Sequence, residues 1–204
     1  MENEIKKLSK PLLVVLAAPS GAGKSTLCGM LLKEFPEFVY SVSCTTRAPR
    51  GAEVDGVSYF FLTEAQFRCR IEANEFLEYA IVHGNYYGTL KKTISDAMAV
   101  GRSVILDIDV EGAAQVRTII SSLSETDPMK VGYLDIFINA PSFDVLRSRL
   151  VKRGEDSMET IEKRLKNASV EIAQAEAFSN VLVNERVDET YLKFRSIVLA
   201  ASAR

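Results

Sequence analysis

The chain has 204 residues, 47% hydrophobic and 25% charged, with a formal net charge of -2. That length suits one domain with room for a small insertion, and the composition is that of a globular protein with a sizeable core. The near balance of charge excludes a global attraction to nucleic acid or anionic membrane, and no apolar run approaches a membrane span. The segment Met1 to Lys7 lacks the basic-then-apolar order of a signal peptide and reads as a short solvated lead-in. Cys28, Cys44 and Cys69 are scattered, odd in number and without metal-ligand spacing, as expected of reduced cytosolic thiols. The single histidine, His83, leaves no zinc cluster and no serine–histidine triad to assemble, and is expected at the surface or an edge.

Leu12 to Ala17 is aliphatic without polar alternation, which predicts a strand buried on both faces of a parallel sheet. It leads into Pro19-Ser20-Gly21-Ala22-Gly23-Lys24-Ser25-Thr26 and then into a helical pattern at Leu27, Met30 and Leu31. Phe35-Pro36 stops that helix, and Phe38 to Ser43 alternates as a second strand. Thr45 to Gly56 is rich in turn residues and carries Arg47 and Arg50. Short strands are expected at Tyr59 to Leu62, Phe76 to Val82 and Asn85 to Gly88. Between them a helix runs to about Ala73, opened by the capping-box spacing of Thr63 and Gln66. A strand-rich insertion thus interrupts the α/β rhythm. The rhythm resumes with a helix over Thr93 to Val100, an apolar strand over Ser103 to Asp109, a helix over Glu111 to Ile120 and a polar loop to Lys130. A strand over Val131 to Asn139 precedes a helix that starts near Pro141 and runs to Arg153, where Gly154 breaks it. Asp156 with Glu159 is expected to cap a long helix reaching Ala177, followed by a strand over Val181 to Asn184 and a C-terminal helix from Asp188. Strands alternating with helices predict parallel βαβ units with ligands at the carboxyl ends of the strands.

Strand, glycine turn and helix in that order is the context in which a phosphate-loop pattern acquires a mechanism. Gly21 and Gly23 let backbone N–H groups converge on an anion, and the helix points its positive end at the same phosphates. Lys24 would reach the terminal phosphates, and Ser25 would offer its hydroxyl to Mg²⁺. The pattern departs at its first glycine, which is Ala18 here. Asp107, at the end of an apolar strand, stands where enzymes with such loops hold Mg²⁺ through water. Two groups of arginines add bidentate phosphate forks: Arg47 with Arg50, and Arg149, Arg153 and Arg164 around the Gly154 break, an arrangement that suits a mobile lid. Arg147 reads as part of a solvated helix face.

A set of blocks then carries a resemblance. Ala18-Pro-Ser-Gly-Ala-Gly-Lys-Ser-Thr26, Ser41-Val-Ser-Cys-Thr-Thr-Arg-Ala-Pro-Arg50, Tyr59-Phe60, Asn74-Glu-Phe-Leu-Glu78, Gly84-Asn-Tyr-Tyr-Gly88, Ile105-Leu-Asp-Ile-Asp109, Arg149-Leu-Val-Lys-Arg-Gly154, Lys163-Arg164-Leu165 and Val183-Asn184 resemble guanylate kinase, in the family's order and with its intervals. The resemblance runs from about Pro11 to the C-terminal helix and is strongest to the stand-alone bacterial type. It implies a P-loop nucleoside-monophosphate-kinase-like parallel sheet flanked by helices, with a core at 1–45 and 93–204, a strand-rich GMP-binding insertion at 46–92 and a helical lid at about 150–165. It implies ATP on Pro19, Ser20, Gly21, Ala22, Gly23, Lys24, Ser25 and Thr26, with Asn184 a candidate for the adenine side. It carries the GMP phosphate to Arg47, Arg50, Tyr59 and Tyr87, and guanine to Ser43, Glu78 and Thr89, with Asp109 near the GMP. Thr89 stands where the family often has serine and keeps the hydroxyl. Lys24, Arg149, Arg153 and Arg164 are implied as catalytic, and Ser25 and Asp107 (through water) as the Mg²⁺ side.

The residues support these roles physically. Guanine presents N1–H and an exocyclic amino group side by side, two donors that one carboxylate accepts together, whereas adenine presents an acceptor at N1. A buried unpaired carboxylate gives discrimination on the order of 10⁴-fold or more. The expected reaction is ATP + GMP ⇌ ADP + GDP by direct in-line transfer, with dGMP also accepted, in the cytoplasm and without a nucleic-acid, membrane or protein partner. Two other readings compete. One is a related kinase for another phosphorylated acceptor; the other is a non-catalytic guanylate-kinase-like binding module, which would be expected to have lost the loop or the lid arginines.

Overall fold

The computed structural model describes residues 8–154 and 157–203; the lead-in 1–7 and the expected cap at Asp156 lie outside the described residues. The first strand, β1 (Leu13–Ala17), is buried along its whole length. Val14 and Leu16 face one core, Leu13, Val15 and Ala17 the other, so both sets of alternating positions must be apolar.

Around β1 the chain builds a parallel sheet. α1 (Lys24–Glu34) leads to β2 (Phe38–Tyr40); β3 (Cys44–Thr45), β4 (Phe60–Phe61), α2 (Glu64–Glu72), β5 (Phe76–Val82), β6 (Asn85–Leu90) and α3 (Lys91–Ala99) follow before β7 (Ser103–Asp107). Then come α4 (Val110–Ser122), the short α5 (Pro128–Val131), β8 (Tyr133–Asn139), α6 (Phe143–Arg153), α7 (Met158–Ala173), β9 (Asn180–Val183) and α8 (Val187–Ala203). The strand order is β2-β7-β1-β8-β9, all neighbours parallel. The helices divide between its faces: α1 and α8 pack on one core, α3 and α4 on the other. The strands β1 and β7 are adjacent although far apart in sequence, and the crevice beyond their carboxyl ends is where such a sheet binds ligands.

A second sheet, ordered β4-β3-β6-β5, is covered by α2. The buried Phe67 ring of α2 stacks on Phe76 at 4.2 Å and leans on Tyr86 at 5.1 Å. The capping box at Thr63 and Gln66 forms as its spacing predicts. His83 and Gly84 make the two-residue hairpin turn between β5 and β6, with φ of 49° and 78°, and His83 is exposed as expected.

Several boundaries differ from expectation, each for a tertiary reason. The run Phe38 to Ser43 is not one strand. The ladder between β2 and β7 ends at Tyr40 opposite Ile105, and the chain crosses to the second sheet, where Cys44 pairs with Gly88. The strand expected through Asp109 stops at Asp107, because Asp109 caps α4 by accepting from the Gly112 N–H at 2.7 Å. The polar loop before Lys130 contains α5, capped by Asp127. Ser157 caps α7, which ends at Ala173 and gives way to a 3₁₀ turn at Ala175–Ala177.

Phe67→Ala should destabilise the chain by roughly 3–5 kcal/mol. Hydrogen exchange should then quicken more in β6 than in β1; equal acceleration in both would make the two sheets a single cooperative unit.

Candidate active site

The end of β1 opens into a loop whose shape depends on two glycines. Gly21 and Gly23 have φ of 89° and 96°, a region that other residues enter with strain. A Cβ on Gly23 would also collide with the Asn184 side-chain amide. Ala18 is not among the positive-φ residues, so its backbone makes no demand for the glycine missing from the pattern. Lys24 opens α1, and its Nζ pairs with the Asp107 carboxylate and lies 3.4 Å from the Ile108 carbonyl. The loop and the ends of β1 and β7 thus form the floor of a cleft of about 930 Å³.

The far wall comes from α6 and α7. Arg149 donates to the Asn184 carbonyl at 2.9 Å and toward the Ala22 carbonyl at 3.5 Å, while Arg164 donates to Ser20 Oγ at 3.0 Å. Arg153 also lines the cleft, together with Lys152. Arg147 pairs instead with Glu162 at 2.6 Å on the exposed side of α6 and α7. The structure therefore brings Arg149, Arg153 and Arg164 to the loop and leaves Arg147 outside. Asn184, only 3% exposed, donates from Nδ2 to the Ala22 carbonyl at 2.7 Å and braces the loop from beneath.

Across the cleft, Asp109 leads to the second sheet. Glu78 on β5 is 7% exposed and stands opposite Thr89 on β6, just after a register irregularity between Phe76 and Glu78. Its Oε2 sits close against the first turn of α4, where a Cβ on Gly112 would come within 3.3 Å of it. Burial pushes the Glu78 carboxyl above the ordinary carboxylate range; Thr89 pulls the other way, and Asp109 adds to the rise. Among the described residues no lysine or arginine pairs with Glu78. Nearby, Arg47 Nε donates to the Tyr87 hydroxyl at 3.2 Å, its guanidinium lies over the Tyr59 ring at 5.4 Å, and Tyr59 and Tyr87 meet edge to face at 6.0 Å. Arg50 is exposed beside them, and the Ser43 carbonyl accepts from Phe60 at 2.9 Å where β3 begins.

Two acidic residues were not singled out in the sequence. Glu53 holds Arg47 through both carboxylate oxygens, at 2.8 and 3.0 Å, across a loop with no periodicity to reveal the pairing. Glu171 lines the cleft from the last turn of α7, seven residues after Arg164; that helical spacing is the signal that could have found it. Burial raises the Glu171 carboxyl, Lys24 draws it back, and Asp109 adds to the rise.

Residues 10–201 match the family model described as guanylate kinase. The chain belongs to the guanylate kinase family. A guanylate kinase of Clostridium perfringens is 41% identical over 204 residues, covering 100% of this chain and 90% of that protein. One from Polaromonas is 45% identical over 188 residues, covering 92% and 86%. The crystal structure of guanylate kinase from Anaplasma phagocytophilum superposes with a TM-score of 0.69 at 33% identity, covering 96% of this chain and 88% of that one. The chain is thus an ATP-dependent kinase that converts GMP to GDP, and guanylate kinases generally need a divalent metal.

The raised Glu78 carboxyl links stability to pH. The folded chain holds this proton more tightly than the unfolded chain, so stability falls as pH rises from the ordinary carboxylate range through the raised value, and the loss persists above it. In Glu78→Gln that loss is absent. The ligand-free variant should melt a few degrees above the parent near pH 8, with the gap closing near pH 4; a lower melting temperature near pH 8 would contradict an uncompensated carboxylate.

Proposed function

We propose that the cleft holds ATP on the loop and GMP on the second sheet, and that the γ-phosphoryl passes directly between them. The observation that carries this assignment is the buried carboxylate of Glu78, without a cation partner among the described residues, an acceptor-only group suited to the two adjacent donors of guanine. Arg47, Arg50, Tyr59 and Tyr87 are assigned to the GMP phosphate; Ser43 and Thr89 complete the base site, and Asp109 borders it. The acceptor groups read base and phosphate, so dGMP is expected to serve beside GMP. On the donor side, Pro19 to Thr26 wrap the ATP phosphates, and Asn184 contributes by holding the loop in shape. We assign 1–45 and 93–204 to the core, 46–92 to the GMP-binding insertion and about 150–165 to a lid that turns at Gly154, whose φ is 69°.

The mechanism needs no general base. The second pKa of a phosphate monoester is about 6, so GMP is already largely dianionic at neutral pH. Catalysis then consists of alignment and charge neutralisation. Lys24, paired with Asp107 in this structure, exchanges that carboxylate for phosphate oxygens. Arg149, Arg153 and Arg164 neutralise the transferring group as the lid excludes water. The donors available near the loop are hard oxygens, the Ser25 hydroxyl and the Asp107 carboxylate, and the described residues contain no three-acid cluster that could cage an ion. That set fits Mg²⁺, which keeps most of its water; when bound it would neutralise charge between the donor phosphates. We place the reaction in the cytoplasm, a setting compatible with three free cysteines.

Lys24→Met should lower kcat by on the order of 10²–10³-fold with the KM for GMP little changed. Steady-state ADP release measures both, and near-parental turnover would contradict the role of Lys24.

A further inference from the structure

An arginine side chain has five N–H donors, and four of those on Arg47 already have acceptors. Nε donates to the Tyr87 hydroxyl at 3.2 Å, Nη1 to the Ala48 carbonyl at 2.7 Å and to Glu53 at 3.0 Å, and Nη2 to the other Glu53 oxygen at 2.8 Å. The same Glu53 carboxylate accepts the backbone N–H of Arg50 at 2.8 Å, and the Glu53 N–H returns a bond to the Arg50 carbonyl at 3.0 Å. One carboxylate therefore grips the guanidinium of one arginine and the backbone of the other, with Pro49 between them. The pairing with Arg47 holds the Glu53 carboxyl below the usual carboxylate range.

Such a carboxylate has two possible roles toward an incoming phosphate. It could stand in for the phosphate and be expelled, or it could stay and hold the arms that receive it. The turn decides between them. Reciprocal bonds between Arg50 and Glu53 close a loop of four residues, and the Ala48 carbonyl fixes Arg47 from another side. Expelling the Glu53 carboxylate would break one of the two bonds that close that turn and free the Arg50 N–H along with the Arg47 guanidinium. Arg47 is itself 9% exposed and lies over Tyr59, so it has little room to swing elsewhere.

We propose that Glu53 is a positioning residue for the acceptor phosphate, fixing Arg47 and Arg50 as one frame that presents the remaining Nη2 hydrogen of Arg47, the Arg50 side chain and the Tyr59 and Tyr87 hydroxyls together. The proposal rests on the reading of Arg47 and Arg50 as phosphate arms. Its energetic content is preorganisation: the Arg47 side chain and the Arg50 backbone are ordered before GMP arrives, so binding loses less conformational entropy. Glu53 adds no contact to guanine, and its effect must vanish for a ligand without a phosphate.

Calorimetric titration of the full chain with GMP and with guanosine tests this. Glu53→Gln should weaken GMP by about tenfold or more, the scale of a lost charge-assisted hydrogen bond, and leave guanosine unchanged. Arg47→Ala serves as the reference for the underlying reading and should weaken GMP selectively as well. If Arg47→Ala weakens GMP while Glu53→Gln does not, the role of Glu53 is overturned alone. Tighter GMP binding by Glu53→Gln would overturn it in favour of an expelled surrogate, and equal losses for GMP and guanosine would reduce Glu53 to a structural residue. If Arg47→Ala spares GMP, the phosphate-arm reading itself falls.

Discussion

Removing a carboxylate from water without giving it a cation is costly, and the second sheet does so with Glu78, which pairs with no lysine or arginine among the described residues. Several features of the fold follow from holding that group in place. A register irregularity in β5 sets its position, and Thr89 faces it across the ladder. Gly112 leaves room for its Oε2 at the start of α4. Asp109, itself fixed as the cap of α4, adds negative charge where the carboxylate is already short of solvent. A ligand that brings two parallel donors relieves this situation, and one that brings an acceptor worsens it. In a chain whose family turns GMP into GDP, that asymmetry is the physical basis of the acceptor assignment.

The cleft at the loop, proposed as the donor side, meets the opposite problem, an excess of negative charge to be gathered in one place. Parallel topology sets β1 beside β7, so the loop and Asp107 open onto the same crevice. The positive φ of Gly23 and its crowding by Asn184 shape the loop, and Asn184 in turn connects to Arg149 through its own carbonyl. A helix that carries Arg164 at one level and Glu171 two turns on presents both charges to the cleft. Loop, sheet edge and helix wall are therefore mechanically joined, which suits a site proposed to align a triphosphate with a monophosphate and exclude water.

Much of this was legible in the sequence where the determinants are local. The strand–glycine–helix order of Leu12 to Leu27 and the capping box at Thr63 and Gln66 depend on neighbours a few residues apart, and both appear in the structure as read. Reading failed where distant segments decide. The crossing after Tyr40 depends on where β7 ends, and Asp109 leaves its strand because the Gly112 N–H needs a cap. Glu53 carries no local signature, since its partners arrive through a turn, and Glu171 shows only its helical spacing from Arg164. Asn184, expected on the adenine side, lines the cleft and in addition braces Ala22, a contact between residues 162 positions apart that has no local signal.

In the proposed site, guanine satisfies the buried Glu78 carboxylate. Free Glu78 holds its proton above the ordinary carboxylate range, whereas two donors from the base would favour the ionised form. GMP binding near pH 5 should therefore release a proton from this residue. Titration calorimetry in two buffers of different ionisation enthalpy, on the parent chain and on Glu78→Gln, measures that release directly. The parent should release more protons than the variant; identical release from both would rule out guanine as the partner of Glu78.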